Sequence, residues 1–200
     1  YLVTNNRSKR YLIDSSEKYV SRSAYKLDSV VDKFNLDFKL TTVLDVGSSS
    51  GGFSDYALSH GASYVIAVDK GTNQMNPRLK LKANLELHEK TDIRDFVPPR
   101  PVDIVLIDVS FLSIKVVLSY LLKILDNRIK IVAMVKPQFE TSNDKYKHLG
   151  VVKNESIRRS LLLELENWLV QYFIIDNKAD SKITGLKGNR ERFYLLHMKK

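Results

Sequence analysis

Four charged side chains stand where chemistry is expected. Lys136 directly follows the apolar run 129–135 and precedes a proline, in Val135-Lys136-Pro137-Gln138-Phe139-Glu140. Asp108 ends another apolar run, in Leu106-Ile107-Asp108-Val109-Ser110-Phe111. Lys26 sits in Val20-Ser21-Arg22-Ser23-Ala24-Tyr25-Lys26-Leu27, among the apolar positions of an expected helix. Glu191 belongs to Gly188-Asn189-Arg190-Glu191-Arg192-Phe193. A lone lysine at a strand end is ordinarily solvated. One that shares a site with a carboxylate can orient a reactant or exchange a proton with it.

A second group surrounds the turn Asp45-Val46-Gly47-Ser48-Ser49-Ser50-Gly51-Gly52-Phe53. Its spacing is neither GxGxxG, since Ser49 stands at the second glycine position, nor GxxxxGK[ST], so neither phosphate-cradling fingerprint is present. Asp45, just before the turn, would repel a pyrophosphate and suits an ammonium or a sulfonium. Asp69, followed by Lys70, closes the next apolar run, where a carboxylate usually holds a ribose diol. Asp92 after the third run suits an adenine amino group. Acids at three successive strand ends, around a turn without a phosphate motif, describe a pocket for S-adenosyl-L-methionine. Its expected lining is Asp45, Gly47, Ser48, Gly51, Gly52, Phe53, Asp69, Lys70, Asp92 and Asp108. The plainer alternative is that the glycines only turn the chain and the acids cap helices.

These residues need a frame, and the hydrophobic pattern supplies one. A helix is expected from Ser21, with Tyr25, Leu27, Val30, Val31 and Phe34 as its apolar positions. Strands follow at 42–46, 64–68, 85–88, 102–107, 129–135, 172–175 and 192–198. Helices lie between them, through Phe53 to Gly61, over 111–125, and over 154–171 with Ile157, Leu161, Leu162, Leu165 and Leu169 inward. Continuous apolar strands alternating with helices give an α/β fold, a mostly parallel seven-stranded sheet covered on both faces. The short link between the last two strands implies an antiparallel edge pair. Ligands of such a sheet sit beyond the carboxyl ends of its strands, where all the acids and Lys136 fall.

Composition narrows the chemistry. The 200 residues carry 32 Lys+Arg against 23 Asp+Glu, a formal net charge of +9, and no cysteine. Disulfides, thiolate metal sites and a cysteine nucleophile are excluded. The four histidines, His60, His88, His148 and His197, form no ligand pair, and no metal site is expected. No apolar run approaches the length needed to span a bilayer. The start of the chain lacks a signal-peptide pattern, so the cytoplasm is the expected compartment and no stable membrane association is expected. The net charge fits a polyanionic partner such as nucleic acid, or simply a solvated basic surface.

Six blocks of the chain, in order, resemble the FtsJ-like methyltransferase superfamily and, within it, the TlyA-like branch often labelled hemolysin A. They are Tyr19-Val20-Ser21-Arg22; Leu44-Asp45-Val46-Gly47 with Gly51-Gly52-Phe53; Ile107 to Phe111; Val135 to Glu140; Gly150-Val151-Val152; and Ile183-Thr184-Gly185 with Lys187-Gly188-Asn189. The resemblance implies a Rossmann-like class I methyltransferase fold and S-adenosyl-L-methionine-dependent ribose 2′-O-methylation of RNA, with ribosomal RNA or ribosomal subunits as partner. It also implies a Lys-Asp-Lys-Glu tetrad of Lys26, Asp108, Lys136 and Glu191. Such proteins carry an S4-type RNA-binding module upstream. Residues 1–18 are then a linker or the remnant of that module, and 19–200 the methyltransferase domain.

The tetrad makes chemical sense by itself. A ribose 2′-hydroxyl is a poor nucleophile and must shed its proton as it attacks. Lys136 can take that proton only in its neutral form, which burial and a second cation such as Lys26 favour. Asp108 and Glu191 would orient the two amines and balance their charge, but they also oppose the neutral form, so two roles stay open for Lys136, free base or hydrogen-bonding orienter of the hydroxyl. The absence of cysteine argues against pyrimidine C5 methylation, and Asp108-Val109-Ser110-Phe111 is not the [DN]PP[YF] segment of amino-group methylation. Trp168, Tyr120, Leu121 and Leu122 read as core. Phe111 and Phe139 are candidates for stacking on a base, Ser110 reads as a turn or helix cap, and 141–148 as a mobile loop that closes over RNA. Two other classes remain open on sequence: a membrane-active haemolysin, and a non-catalytic RNA-binding module that keeps the fold.

Overall fold

Seven apolar runs assemble into one sheet. The computed structural model of the chain describes residues 18–141, 151–185 and 188–199. Strands β1 (Thr42–Val46), β2 (Tyr64–Val68), β3 (Leu85–His88), β4 (Ile104–Ile107), β5 (Lys130–Val135), β6 (Phe173–Asp180) and β7 (Arg192–Met198) lie in the order β3-β2-β1-β4-β5-β7-β6. β1 to β5 are mutually parallel, whereas β7 runs antiparallel to both β5 and β6. The expected α/β sheet with an antiparallel edge pair is the one observed. The strand order reverses between β1 and β4, which opens a crevice at their carboxyl ends.

Alternation along each strand sorts the core into two layers. Leu44, Val46, Val105, Ile107, Ile131 and Ala133 face helices α4 (Ile114–Ile124) and α5 (Glu155–Tyr172) through Val117, Leu121, Leu165 and Leu169. Val43, Leu106, Val132, Met134 and Phe193 face α1 (Arg22–Phe34) and α2 (Gly52–Ser59) through Leu27, Val30, Phe53 and Tyr56. Each such fully buried aliphatic or aromatic side chain contributes roughly 1.5–3 kcal/mol. A short helix, α3 (Pro77–Lys80), which the pattern did not announce, packs Leu79 beside β3.

Local chemistry sets the element ends. The Ser21 side chain accepts from the Ser23 amide to start α1, and Asn35 in the left-handed region (φ 46°) stops it. The amide of Val20 donates to Asp55 on α2 at 2.8 Å, which docks the beginning of α1 onto its neighbour. Helix α4 begins at Ile114, not at residue 111, because Phe111 itself lies in the left-handed region (φ 64°) and the true cap is Ser113. Strand β4 begins at Ile104, later than expected, after a segment with prolines at 98, 99 and 101 that have no amide to donate. Strand β6 runs five residues beyond the expected 175, with a register shift between Ile175 and Asn177. On α5, Arg158 is buried while Ile157 and Leu161 are only half-buried. Trp168 and Tyr120 do pack against the core as expected. The proposed linker, residues 1–18, lies outside the described residues except for Lys18, as does the expected loop beyond Thr141.

Candidate active site

The sheet delivers the four charged residues to one place. In the antiparallel pairing of β5 with β7, Val135 faces Arg192, so the next positions beyond the ladder are Lys136 and Glu191. In the parallel pairing of β1 with β4, Val46 faces Ile107, so Asp108 leaves the sheet beside Gly47. Lys26 arrives from α1, whose Leu27 and Val30 fix its rotation by packing on the sheet. The result is two ion pairs. Lys136 Nζ lies 2.6 Å from Asp108 Oδ1, and Lys26 Nζ lies 3.0 Å from Glu191 Oε1. Burial pushes the Asp108 carboxyl above its ordinary value; Lys136 and then Lys26 oppose that rise, and Glu191 adds to it. Asp108 thus feels the charges of all three others. Glu191 is 3% exposed, and its Oε2 has no hydrogen-bond partner among the described residues.

Neighbouring backbone holds this arrangement. The amide of Ser181 donates to the carbonyl of Glu191 at 2.9 Å, and the Arg158 guanidinium donates to the Arg190 carbonyl at 3.1 Å. Gly185 leaves the room that Glu191 occupies: a Cβ there would stand 2.6 Å from Glu191 Oε1. On the other side, the Glu140 carboxylate accepts from Ser113 Oγ (2.7 Å) and from the Ile114 amide (2.9 Å) at the start of α4. It ties the segment after β5 to the segment after β4. Ser110, read from sequence as a turn or cap, instead accepts a hydrogen bond from Lys136 Nζ at 2.7 Å. Ser110, Glu140 and Arg158 are what the sequence reading missed. Only the VKPQFE block hinted at Glu140, and nothing local marked the other two.

A cleft of about 560 Å³ opens next to the tetrad, lined among others by Gly47, Ser49, Asp69, Lys70, Asp92 and Asp108. Such a volume suits a small-molecule site. A larger cleft at the opposite end of the strands, around Arg100, Asp103 and Arg128, is remote from these residues. Asp69 is anchored by the amides of Ser49 (2.8 Å) and Gly71 (2.6 Å), one on each oxygen. Gly47 takes φ 80°, and a Cβ there would stand 2.7 Å from the Asp108 carbonyl oxygen, so the approach of β1 to β4 needs glycine. Asp92 caps the turn at Ile93–Asp95 and pairs with Arg94 (2.7 Å) and Lys70 (2.9 Å). Arg94 and then Lys70 hold its carboxyl well below the ordinary range, against burial.

The remaining expected cofactor residues lie behind the cleft wall. Asp45 is fully buried because strand alternation turns it toward α2, where it accepts from Ser54 Oγ at 2.6 Å. Burial pushes its carboxyl up to about 7, against the Ser54 hydrogen bond, with the charges of Asp108 and Asp69 adding to the rise. Its Oδ1 and the Ser48 Oγ are both buried without a partner among the described residues. Gly51 and Gly52 serve packing: a Cβ would stand 2.3 Å from Leu79 at Gly51, and 2.0 Å from Ser23 at Gly52. Phe53 stacks into the core, its ring 6.2 Å from that of Phe193. At the rim, Phe111 is 90% exposed and its ring lies 5.1 Å from that of Phe139.

Fold and site together define a Rossmann-like methyltransferase. The model of the FtsJ-like methyltransferase family matches residues 19–199, and the chain belongs to that family. It is 34% identical over 183 residues to the 23S rRNA (cytidine-2′-O)-methyltransferase TlyA of Campylobacter jejuni, across 90% of this chain and 71% of that one. It is 31% identical over 199 residues to the 16S/23S rRNA (cytidine-2′-O)-methyltransferase TlyA of Mycobacterium tuberculosis, across 97% and 74% of the two. Among solved structures, "Putative hemolysin from Streptococcus thermophilus" superposes with a TM-score of 0.86 at 33% identity, over 94% of this chain and 70% of that one.

Proposed function

We propose that this chain catalyses S-adenosyl-L-methionine-dependent 2′-O-methylation of RNA ribose, with ribosomal RNA as its substrate. The observation that carries the proposal is the convergence of Lys26, Asp108, Lys136 and Glu191 beside the cleft at the sheet's switch point. The activity printed for the Campylobacter and Mycobacterium relatives supports the same reading. An RNA-modifying role on ribosomes puts the enzyme in the cytoplasm.

The cleft residues fit the cofactor. Asp69 is pre-oriented by two amides and keeps a free acceptor site on each oxygen for ribose hydroxyls. Asp92, already engaged by Arg94 and Lys70, acts at the adenosine end as part of an ion-pair cluster. When bound, the cofactor supplies a sulfonium methyl group as the electrophile.

The chain's own residues handle the acceptor. Lys136 receives the proton of the 2′-hydroxyl as the new O–C bond forms, and Asp108, 2.6 Å away, orients it and stabilises the ammonium produced. The Lys26–Glu191 pair completes the wall of the acceptor site and balances its charge. Much of the acceleration comes from fixing the oxygen in line with the methyl at near-contact distance. The exposed Phe111 ring, braced by Phe139, offers a stacking surface for an unstacked base.

The test incubates the protein with unmodified ribosomal subunits and labelled cofactor, then maps the label by nuclease digestion. A ribose label that disappears with Lys136→Ala, while cofactor binding by calorimetry persists, is the expected result. A base label, or normal turnover in that variant, overturns the proposal.

A further inference from the structure

We infer that Ser110 is a positioning residue that aims the lone pair of Lys136 at the acceptor hydroxyl. The inference rests on the proposed role of Lys136 as proton acceptor and adds a residue to it. A neutral lysine amine has four tetrahedral directions: one bond to Cε, two N–H bonds and one lone pair. Unless both N–H bonds are held, the amine rotates and presents a hydrogen to the incoming hydroxyl as often as it presents the lone pair. Here Ser110 Oγ accepts a hydrogen bond from Nζ at 2.7 Å, while Asp108 Oδ1 lies in ion-pair contact at 2.6 Å, outside hydrogen-bond geometry. Ser110 holds one N–H bond, the Asp108 charge draws the other toward itself, and the remaining direction is left for the 2′-hydroxyl proton. The charge contact with Asp108 alone fixes no N–H bond and leaves the amine free to turn.

The placement of Ser110 is itself prepared. It lies two residues beyond Asp108 on the segment that leaves β4, and Phe111 next to it takes a left-handed backbone conformation that stops α4 from starting there. Three residues on, Ser113 and Ile114 are bonded to Glu140, four residues beyond Lys136. The segment carrying the hydroxyl and the segment carrying the amine are therefore clamped to each other on one side and joined by the Lys136–Ser110 bond on the other. Ser110 is exposed and carries no core packing, so removing its hydroxyl tests orientation without threatening the fold.

The experiment compares the parent protein with Ser110→Ala, Ser110→Thr and Lys136→Ala. It measures single-turnover methyl transfer to unmodified ribosomal subunits at saturating protein and cofactor, cofactor affinity by calorimetry, and thermal melting. Ser110→Ala is expected to slow methyl transfer about tenfold, a typical share of a positioned acid–base group, with unchanged melting and cofactor affinity. Ser110→Thr, which keeps the hydroxyl, is expected to restore most of the rate. A parent-like rate in Ser110→Ala with an inactive Lys136→Ala overturns this inference alone. So does an effect confined to the RNA concentration needed for saturation, or equal slowing by alanine and threonine. An active Lys136→Ala would instead sink the underlying assignment of the base.

Discussion

Removing Glu191 separates what the tetrad does for the fold from what it does for the reaction. The Glu191 side chain is 4% exposed and that of Lys26 12%, with 3.0 Å between the charged atoms. Glu191→Ala strands a nearly buried ammonium without its partner, a change that costs about 3–5 kcal/mol in comparable pairs. For a domain of 200 residues, each kcal/mol lowers the melting temperature by roughly 2–4 °C, so a fall of about 6–20 °C is expected. Replacing both partners by apolar residues of similar size, Lys26→Met with Glu191→Leu, removes the stranded charge. That double variant should recover most of the lost stability, since well-packed apolar groups commonly substitute for a buried pair at little cost. Methyl transfer, however, should be absent in both variants. Thermal melting followed by circular dichroism, alongside single-turnover methylation, reads the two effects separately. A single variant that melts within about 2 °C of the parent would show that the pair is not desolvated as the geometry requires. A double variant that recovers activity with stability would show that the pair is only structural.

Two further outcomes follow from the glycine turn. Asp45 has a folded-state pKa of about 7 against an ordinary 3.8, so the folded chain binds this proton more tightly than the unfolded chain. Asp45 then weakens the fold progressively as pH rises from about 4 to about 7, by at most on the order of 4 kcal/mol. Asp45→Asn, which keeps an acceptor for Ser54, should melt higher than the parent at pH 8 and at the same temperature near pH 4; a pH-independent difference would refute this. Gly47→Ala forces an alanine into φ 80° and a Cβ to 2.7 Å from the Asp108 carbonyl. The backbone term alone is about 1–2 kcal/mol, and relieving the contact moves Asp108, so both melting temperature and methyl transfer should drop. Parent-like values for both would show that β1 and β4 can separate without consequence.

Much of this molecule was legible before any coordinates. The seven apolar runs became the seven strands, and β1, β2, β3 and β7 began and ended where the pattern put them. Asp69, Asp92, Asp108 and Lys136 do lie together beyond the strands' carboxyl ends, beside a cleft, because a parallel sheet makes its strand ends and helix starts converge there. Errors came where a single backbone conformation overrode the apolar pattern. Phe111 looked like the first residue of a helix, but its positive φ makes it an exposed rim residue. Within the stretch from Asp45 to Phe53 the burial of each side chain was not legible, because the strand pleat, the turn and the start of α2 each send their residues a different way. Gly47 and Ser49 line the cleft, while Asp45 and Phe53 turn to α2 and the core.

Residue order alone determined which elements form, since the period of apolar positions and the caps at Ser21, Asn154 and Ser113 are local properties. It determined also that these 200 residues offer no thiol and that acids cluster at strand ends. Tertiary structure decided the partnerships. Lys26 meets Glu191 across 165 positions of sequence, and Lys136 meets Ser110 across 26. Those contacts arise from the antiparallel placement of β7 against β5 and from the docking of α1 on the sheet. Ion pairs and hydrogen bonds act over a few ångströms, so their membership is a property of the folded surface on which distant segments come together.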